Sequence, residues 1–367
     1  MTSSTIESGI SINLIDTPCL TVDMDLVDRN LKKLFSKFRD LQVNVRPHLN
    51  TVKSPEFAKL LLAAGAAGVC VAKVSEAEVM AEGGIEDILI TTEIIGPPKL
   101  ERLAKLISKH NQIKVVIDSS AGAAAMQEAA KQAGIMLNAL IELNVGQNRA
   151  GVEPGQAALI LANEISKQPN LKLIGVQGYE GHLQLLTDEE ERKRLCADAM
   201  EKLMSTVSLL RQNGYKIAVI TTGGTGTCEY CVAGGANEVQ PGSFVFMDGA
   251  YNRAIGNRYE NALTLLSTVI SKPAENRCVI DAGFKSLSTD SGNAELKSHA
   301  DISYRPAGDE HGILESASGK IILNIGDRVE LIPSHIDTTV NLHDYYYCHR
   351  SGRIENIWRI SARGKVQ

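Results

Sequence analysis

Short apolar runs alternate with amphipathic ones from residue 24 to residue 256, and this alternation restricts the fold more than any other feature of the chain. The strand-like runs are residues 43–47, 68–72, 87–91, 114–118, 138–143, 172–177, 218–221 and 238–246. Helix-patterned runs such as 26–37, 56–64, 75–81 and 189–213 lie between or before them. Eight strand units, seven joined through helical segments and the first preceded by one, predict a (β/α)8 TIM-type barrel over residues 24–256. An open doubly wound sheet is the competing α/β solution.

After Tyr259 the pattern becomes β-type, with runs at 263–271, 278–282, 319–322, 328–332, 345–349 and 354–361 punctuated by Gly, Pro, Asn and Asp. These predict a mainly-β domain formed by residues 1–23 and 257–367, with strand-like residues 18–23 joining it. The rings are also unevenly placed, since only Phe35, Phe38 and Phe57 precede Tyr179. The early barrel must therefore pack with Ala, Val, Ile and Leu.

Charge and composition exclude several classes. With 38 basic and 43 acidic side chains the formal charge is −5, which argues against a dedicated nucleic-acid binder. No apolar run approaches the ~20 residues of a membrane span, and the polar N-terminus has no signal-peptide pattern. Seven scattered cysteines read as reduced thiols, so a cytoplasmic protein is expected.

Chemistry on a barrel of parallel strands gathers at the C-terminal strand ends, with phosphate commonly bound after the seventh and eighth. The seventh run leads into Thr221-Thr222-Gly223-Gly224-Thr225-Gly226-Thr227 and the eighth carries Gln240-Pro241-Gly242-Ser243. Glycines let backbone amides approach a phosphate closely, and threonines add hydroxyls; a plain tight turn is the bland alternative. The first run enters Arg46-Pro47-His48-Leu49-Asn50-Thr51-Val52-Lys53, the fifth Glu142 to Arg149, and the sixth Gly178-Tyr179-Glu180-Gly181-His182. In the β-rich part, His335 and Asp337 point to one side if their segment is extended and can share a divalent metal; a surface loop is the competing reading. Cys228 and Cys231 have C-x-x-C spacing with no second pair, so zinc is not expected there. The run Tyr345-Tyr346-Tyr347 reads as strand packing.

Taken together these pieces resemble the D-threonine aldolase / D-serine dehydratase family, whose fold is alanine-racemase-like. The resemblance spans nearly the whole chain through RPHxxTxK at 46–53, VAKVSEAE at 71–78, VGQNRAGV at 145–152, TGGTGT at 222–227, QPGSFVFMD at 240–248, DAGFKSLSTDSG at 281–292, DEHG at 309–312 and HIDTTVNLHD at 335–344. It implies pyridoxal 5'-phosphate in the barrel mouth, with its phosphate against Thr222, Gly223, Gly224, Thr225, Gly242 and Ser243. Arg149 would face the pyridine nitrogen, Tyr179 would lie beside the cofactor, and His335 and Asp337 would hold a divalent metal (Mn, Mg or Zn). A guanidinium cannot accept a proton, so the pyridine nitrogen would stay neutral, and a Lewis acid on the substrate β-hydroxyl compensates for the weakened electron sink.

Two positions depart from the family pattern. Asn50 stands where the family's Schiff-base lysine stands, and asparagine cannot form that link. Lys53, Lys73 and Lys285 are other lysines to consider; Lys53 has an odd offset that turns it away if the segment is extended. Leu185 stands where compared aldolases carry a histidine, leaving His182 as an alternative base or a structural residue. Asn50 admits an introduced Lys→Asn change, a modified lysine recorded as asparagine, or a natural asparagine. The retained glycines, arginine and metal pair favour an active scaffold whose lysine has been removed or misrecorded. The expected reaction is aldolase-type cleavage of a D-3-hydroxy amino acid to glycine and an aldehyde, in a homodimer. The alternatives are dehydratase-type β-elimination, racemisation, or cofactor binding without turnover.

Overall fold

The computed structural model describes residues 9–317 and 319–367, so the first eight residues of the polar N-terminal run fall outside it. The chain divides into two compact units. One comprises Lys33–Asn50, Pro55–Gly242 and Gly364–Gln367; the other comprises the described part of Met1–Lys32, with Thr51–Ser54 and Ser243–Arg363.

The first unit is the expected barrel. Its strands are β1 (Asn44–Val45), β2 (Val69–Val71), β3 (Ile88–Ile90), β4 (Lys114–Ile117), β5 (Leu137–Glu142), β6 (Leu171–Gln177), β7 (Val219–Thr222) and β8 (Glu238–Val239). All pair in parallel, in the order β1-β8-β7-β6-β5-β4-β3-β2. The ring closes between β1 and β2, where the Cys70 amide donates to Pro47 O at 2.8 Å and the Leu49 amide donates to Cys70 O at 2.8 Å. Among the described residues seven helices alternate with these strands, from Pro55–Ala64 to Cys228–Ala233. Their starts carry standard devices: Ser119 caps Ser120–Ala133 by accepting from the Gly122 amide, and Asp188 caps Glu189–Gln212, whose first turn adds three glutamates to the positive helix end.

Strands enclosed on both faces read as continuous apolar runs, which is why all eight are visible in the sequence. Val69, Cys70, Val71, Ile88, Leu89 and Ile90 have no exposed surface. The eighth is much shorter than its apolar run of residues 238–246. Pro241 has no amide to donate to a ladder, and Ser243–Val245 coil into a 3-10 turn whose apolar side chains are buried.

One charge cluster is locked inside this unit. Arg46, just past β1, pairs with Glu238 of β8 at 3.0 Å and with Asp87, which Lys114 also reaches at 2.6 Å. Both Arg46 and Glu238 are buried.

The second unit is a nine-stranded sheet. Its order is Arg277–Ile280, Gly312–Ser316, Ile302–Pro306, Glu295–Leu296, Arg328–Ile332, Leu263–Ala274, Cys19–Asp23, Tyr345–Arg350, Arg353–Arg359. Cys19–Asp23 joins it as expected, antiparallel to Leu263–Ala274 and parallel to Tyr345–Arg350. Residues 319–322 form no strand, a correction to the sequence reading. Ile321 and Leu323 do point inward, but the Lys272 ammonium takes both their carbonyls at 2.8 Å, so no ladder forms. Glu295–Leu296, Ile302–Pro306 and Gly312–Ser316 are strands the pattern missed, because their exposed faces are polar and short. Tyr346 is buried, with its hydroxyl donating to Val52 O at 2.9 Å, whereas Tyr345 is exposed.

Removing one member of a buried ion pair leaves its partner charged and desolvated. Arg46→Ala should therefore destabilise the chain by about 3–5 kcal/mol in urea unfolding, and adding Glu238→Leu to it should recover much of that loss. A double variant no more stable than Arg46→Ala would show that the pairing of these two charges is not the source of the cost.

Candidate active site

The C-terminal ends of the parallel strands share one rim, and the barrel residues singled out in the sequence lie there: Asn50 beyond β1, Arg149 beyond β5, Tyr179 and His182 beyond β6, Thr222 to Thr225 at the end of β7, and Gly242 beyond β8. Arg149 and Tyr179 meet, the guanidinium carbon standing 5.7 Å from the ring centroid. That is cation–π distance, and it orients both groups. His182 lies on the 3-10 turn Gly181–Leu183, exposed, beside Gly146, where a Cβ would come within 3.4 Å of its ring. Leu185 is exposed as well.

Asn50 is held by β1's own extension. Its Oδ1 lies 2.5 Å from His48 Nδ1, and His48 Nε2 lies 2.9 Å from Thr91 Oγ1. Residues 49–52 form a turn, so the alternation argument about Lys53 does not apply; Lys53 adopts φ +47°. It belongs with Thr51–Ser54 to the β-rich unit, where its carbonyl accepts from the Ala362 amide at 2.9 Å. Lys73 stands at the start of helix Val74–Glu82. Lys285 is exposed and spent on Glu310 at 2.6 Å.

The glycine-rich turn is fully buried and is built around a carboxylate that the spacing did not single out. Glu180 Oε2 accepts from Thr222 Oγ1 at 2.6 Å and from the Gly223 amide at 3.4 Å; Oε1 accepts from Gln184 Nε2 at 3.0 Å and from the Thr227 hydroxyl. The Gly224 amide donates to Thr227 Oγ1 at 3.1 Å and the Gly226 amide to Gln184 Oε1 at 2.9 Å. Two glycines are dictated by space and conformation. Gly223 has φ +78°, and a Cβ on Gly226 would sit 2.4 Å from the Gln184 carbonyl oxygen.

Glu180, Cys196 and Cys231 also bring their ligand atoms within 4.8 Å of one another. Chemically this is packing. Both Glu180 oxygens already accept hydrogen bonds, while the Cys196 contact and burial push the Cys231 thiol well above its ordinary value. Neither group is ready for a cation.

Inside the barrel a chain of polar contacts runs from Gln240 to Gln177 at 2.9 Å and from Gln177 to Glu142 at 2.5 Å. Burial, reinforced by Glu93, pushes the Glu142 carboxyl well above the carboxylate range. Glu93 is itself raised, by burial.

In the β-rich unit His335 immediately precedes the short helix Ile336–Val340, which contains Asp337, so the pair is not presented by an extended segment as the spacing suggested. The two groups are nevertheless close enough to interact. Burial pulls the His335 imidazole down, but Asp337, Asp290 and Asp248 outweigh it and hold it above the usual histidine value. His335 Nδ1 lies 2.6 Å from Asp290 Oδ2, which leaves Nε2 as the ligand atom. Burial would raise Asp290, yet hydrogen bonds from Ser288, His335 and Thr338 lower it to about 2. Asp248 is pushed up to about 6 by burial, despite amide hydrogen bonds from Tyr251 and Ile336. An imidazole among three carboxylates is a donor set that suits a divalent cation. On the barrel rim, a guanidinium against a tyrosine and a hydroxyl-bearing glycine turn suit a phosphorylated aromatic cofactor. Asn50, with no amine, does not suit its covalent attachment.

A parallel barrel followed in the chain by an antiparallel sheet defines the alanine-racemase-like class, fold type III. Residues 22–249 match the family described as alanine racemase, N-terminal domain, and residues 262–349 match the putative serine dehydratase domain. The chain is 38% identical over 362 residues to the D-threonine aldolase of Arthrobacter sp., covering 98% of this chain and 95% of that one. It is 36% identical over 367 residues to the 3-hydroxy-D-aspartate aldolase of Paracoccus denitrificans (strain Pd 1222), covering 97% and 94%. The crystal structure of D-threonine aldolase from Filomicrobium marinum matches with a TM-score of 0.96 at 35% identity, covering 100% of both chains. The chain belongs to the D-threonine aldolase / D-serine dehydratase family.

Glu142 provides a pH test of the barrel interior. A carboxyl whose folded pKa is raised stabilises fully below its unfolded value, ~4.3, and loses that contribution as pH rises, because unfolding then releases a proton. Relative to the parent, Glu142→Gln should gain stability with rising pH, by up to about 1.4 kcal/mol per unit, and show no gain near pH 4. Urea midpoints at pH 4, 6 and 8 measure this; a pH-independent difference would mean that Glu142 is ionised in the folded protein.

Proposed function

We propose that this chain is built as a lyase of the D-threonine aldolase type, cleaving D-3-hydroxy amino acids to glycine and an aldehyde. Pyridoxal 5'-phosphate would be held on the barrel rim and a divalent cation (Mn, Mg or Zn) by His335 and Asp337. The observation that carries the reading is the pairing of Arg149 with Tyr179 on the same rim as the Gly223-Gly224-Thr225 turn. The cofactor, when bound, supplies an electron sink for the carbanion left by Cα–Cβ cleavage, and the cation a Lewis acid for the β-hydroxyl.

The protein's own groups divide the remaining work. Thr222, Gly223, Gly224, Thr225, Gly242 and Ser243 would line the phosphate, as the resemblance implies, although the Gly223 and Gly224 amides already donate to Glu180 and Thr227. Arg149, permanently protonated, would face the pyridine nitrogen and leave it unprotonated. Tyr179 fixes the Arg149 side chain and would flank the ring. His182, exposed on its turn, would receive the β-hydroxyl proton. Asp290 orients His335, as partners behind a metal ligand do. A His/Asp metal pair supports aldolase over dehydratase chemistry, since the resemblance associates His/Cys with the latter. The buried reduced thiols support a cytoplasmic protein, and the resemblance supports a homodimer with small D-amino acids as substrates.

Asn50 sets the limit on this activity. A carboxamide is no nucleophile, so the cofactor is held by noncovalent contacts alone and the chain as it stands lacks efficient turnover. Asn50→Lys should fix the cofactor covalently, giving a visible absorbance band that borohydride bleaches and a cofactor-modified peptide spanning position 50 by mass spectrometry, together with glycine release from D-threonine. An Asn50→Lys variant that takes no cofactor would refute the assignment of this position.

Metal dependence is read on that variant. Chelation should abolish its glycine release and Mn²⁺ should restore it, while His335→Ala should lower metal affinity at least tenfold. Cleavage that persists in chelator would remove the metal pair from the reaction.

A further inference from the structure

Glu180 is a fully engaged buried side chain at the rim, and no step of the proposed reaction uses it. Its two oxygens gather four donors from three places: Thr222 and Gly223 at the end of β7, Thr227 at the far end of the glycine turn, and Gln184 of its own loop. Gln184 extends the same bracing, accepting from the Gly226 amide at 2.9 Å and donating to Thr227 Oγ1 at 2.7 Å. Thr227 in turn accepts from the Gly224 amide. Every glycine amide of the turn therefore ends directly or through one hydroxyl on the Glu180–Gln184 pair. A glycine-rich segment loses more conformational freedom on ordering than any other, and holding it in one shape requires such ties.

We propose that Glu180 is a positioning residue, braced by Gln184, that holds the glycine turn in the shape that accepts a phosphate. This inference rests on the phosphate-binding role proposed for the turn. The carboxylate acts here through its acceptor oxygens and not through its charge, because a fixed anion near a phosphate works against binding. Glutamine at this position keeps three of the four ties: its oxygen accepts from Thr227 and Gln184, its amide nitrogen donates to Thr222 Oγ1, and only the long Gly223 contact at 3.4 Å is lost. The Thr222 hydroxyl then turns its own proton to the Gly178 carbonyl, which it already contacts. Alanine removes all four ties and takes the acceptor from the Thr227 hydroxyl and the Gly223 amide in a buried site, which is costly, while Thr222 keeps the Gly178 carbonyl.

The test compares how strongly each form prefers pyridoxal 5'-phosphate over unphosphorylated pyridoxal, measured by calorimetric titration of the full chain. Glu180→Ala should reduce that preference at least tenfold. Gln184→Met, which keeps the shape and removes only the ties, should reduce it by about threefold or more, and Glu180→Gln should stay within about threefold of the parent. Glu180→Ala or Gln184→Met weakening both ligands equally, or leaving the preference unchanged, overturns the positioning role while the parent's binding upholds the cofactor site. Loss of preference in Glu180→Gln equal to that in alanine would also overturn it, by making charge the agent. A parent chain without preference for the phosphorylated ligand overturns the functional reading and this inference together.

Discussion

The barrel rim exists because the ring closes, and the ring closes over very little. β1 and β8 are each two residues long, and the first and second strands are joined through Pro47, Leu49 and Cys70 by backbone hydrogen bonds just past β1. Closure removes sheet edges and brings eight strand ends to one side. Arg46 secures the other side of β1, since it directly follows Val45 and its partner Glu238 lies in β8, the strand paired with β1. A charge buried there is tolerated because both partners are fixed by the strands that they join. Once the seam is shut, the loops beyond β1, β5, β6, β7 and β8 face one another.

What the fold places on that rim is a division of labour between groups that face solvent and groups that face protein. Arg149 and His182 are exposed, while Thr222, Thr225 and Glu180 are not. The glycine turn thus has an inner lining as specific as any ligand contact. Asn50 belongs to another polar chain, through His48 to Thr91, so its side chain is embedded in a local network and not left pointing into empty space.

Much of this was legible from residues alone, and the failures have physical causes. Runs such as 88–90 and 115–117 announce themselves because enclosed strands carry no polar face. Residues 321–323 alternate as a strand does, yet a single lysine takes the carbonyls a ladder needs. His335 and Asp337 were found by type and spacing, but their geometry comes from a helix start and not from an extended segment. Asp248 and Asp290 lie far from them in sequence, and only the folded chain assembles the four. Glu180 and Gln184 were hidden because spacing says nothing about which atoms of a glycine turn face inward. The offset argument about Lys53 failed for a similar reason, since it assumed extension where the chain turns.

The place of Cys19–Asp23 in the nine-stranded sheet has a consequence for biosynthesis. This strand is among the first made, yet its partners are Leu263–Ala274 and Tyr345–Arg350. At roughly 5–20 residues per second, the first partner leaves the ribosome about 10–50 s later. For that interval an apolar strand has both edges open, while the barrel segments are being completed between it and its neighbours. The order in which the chain is translated therefore runs against the order in which the β-rich unit can assemble, and the last strands made are the ones that release the first from waiting.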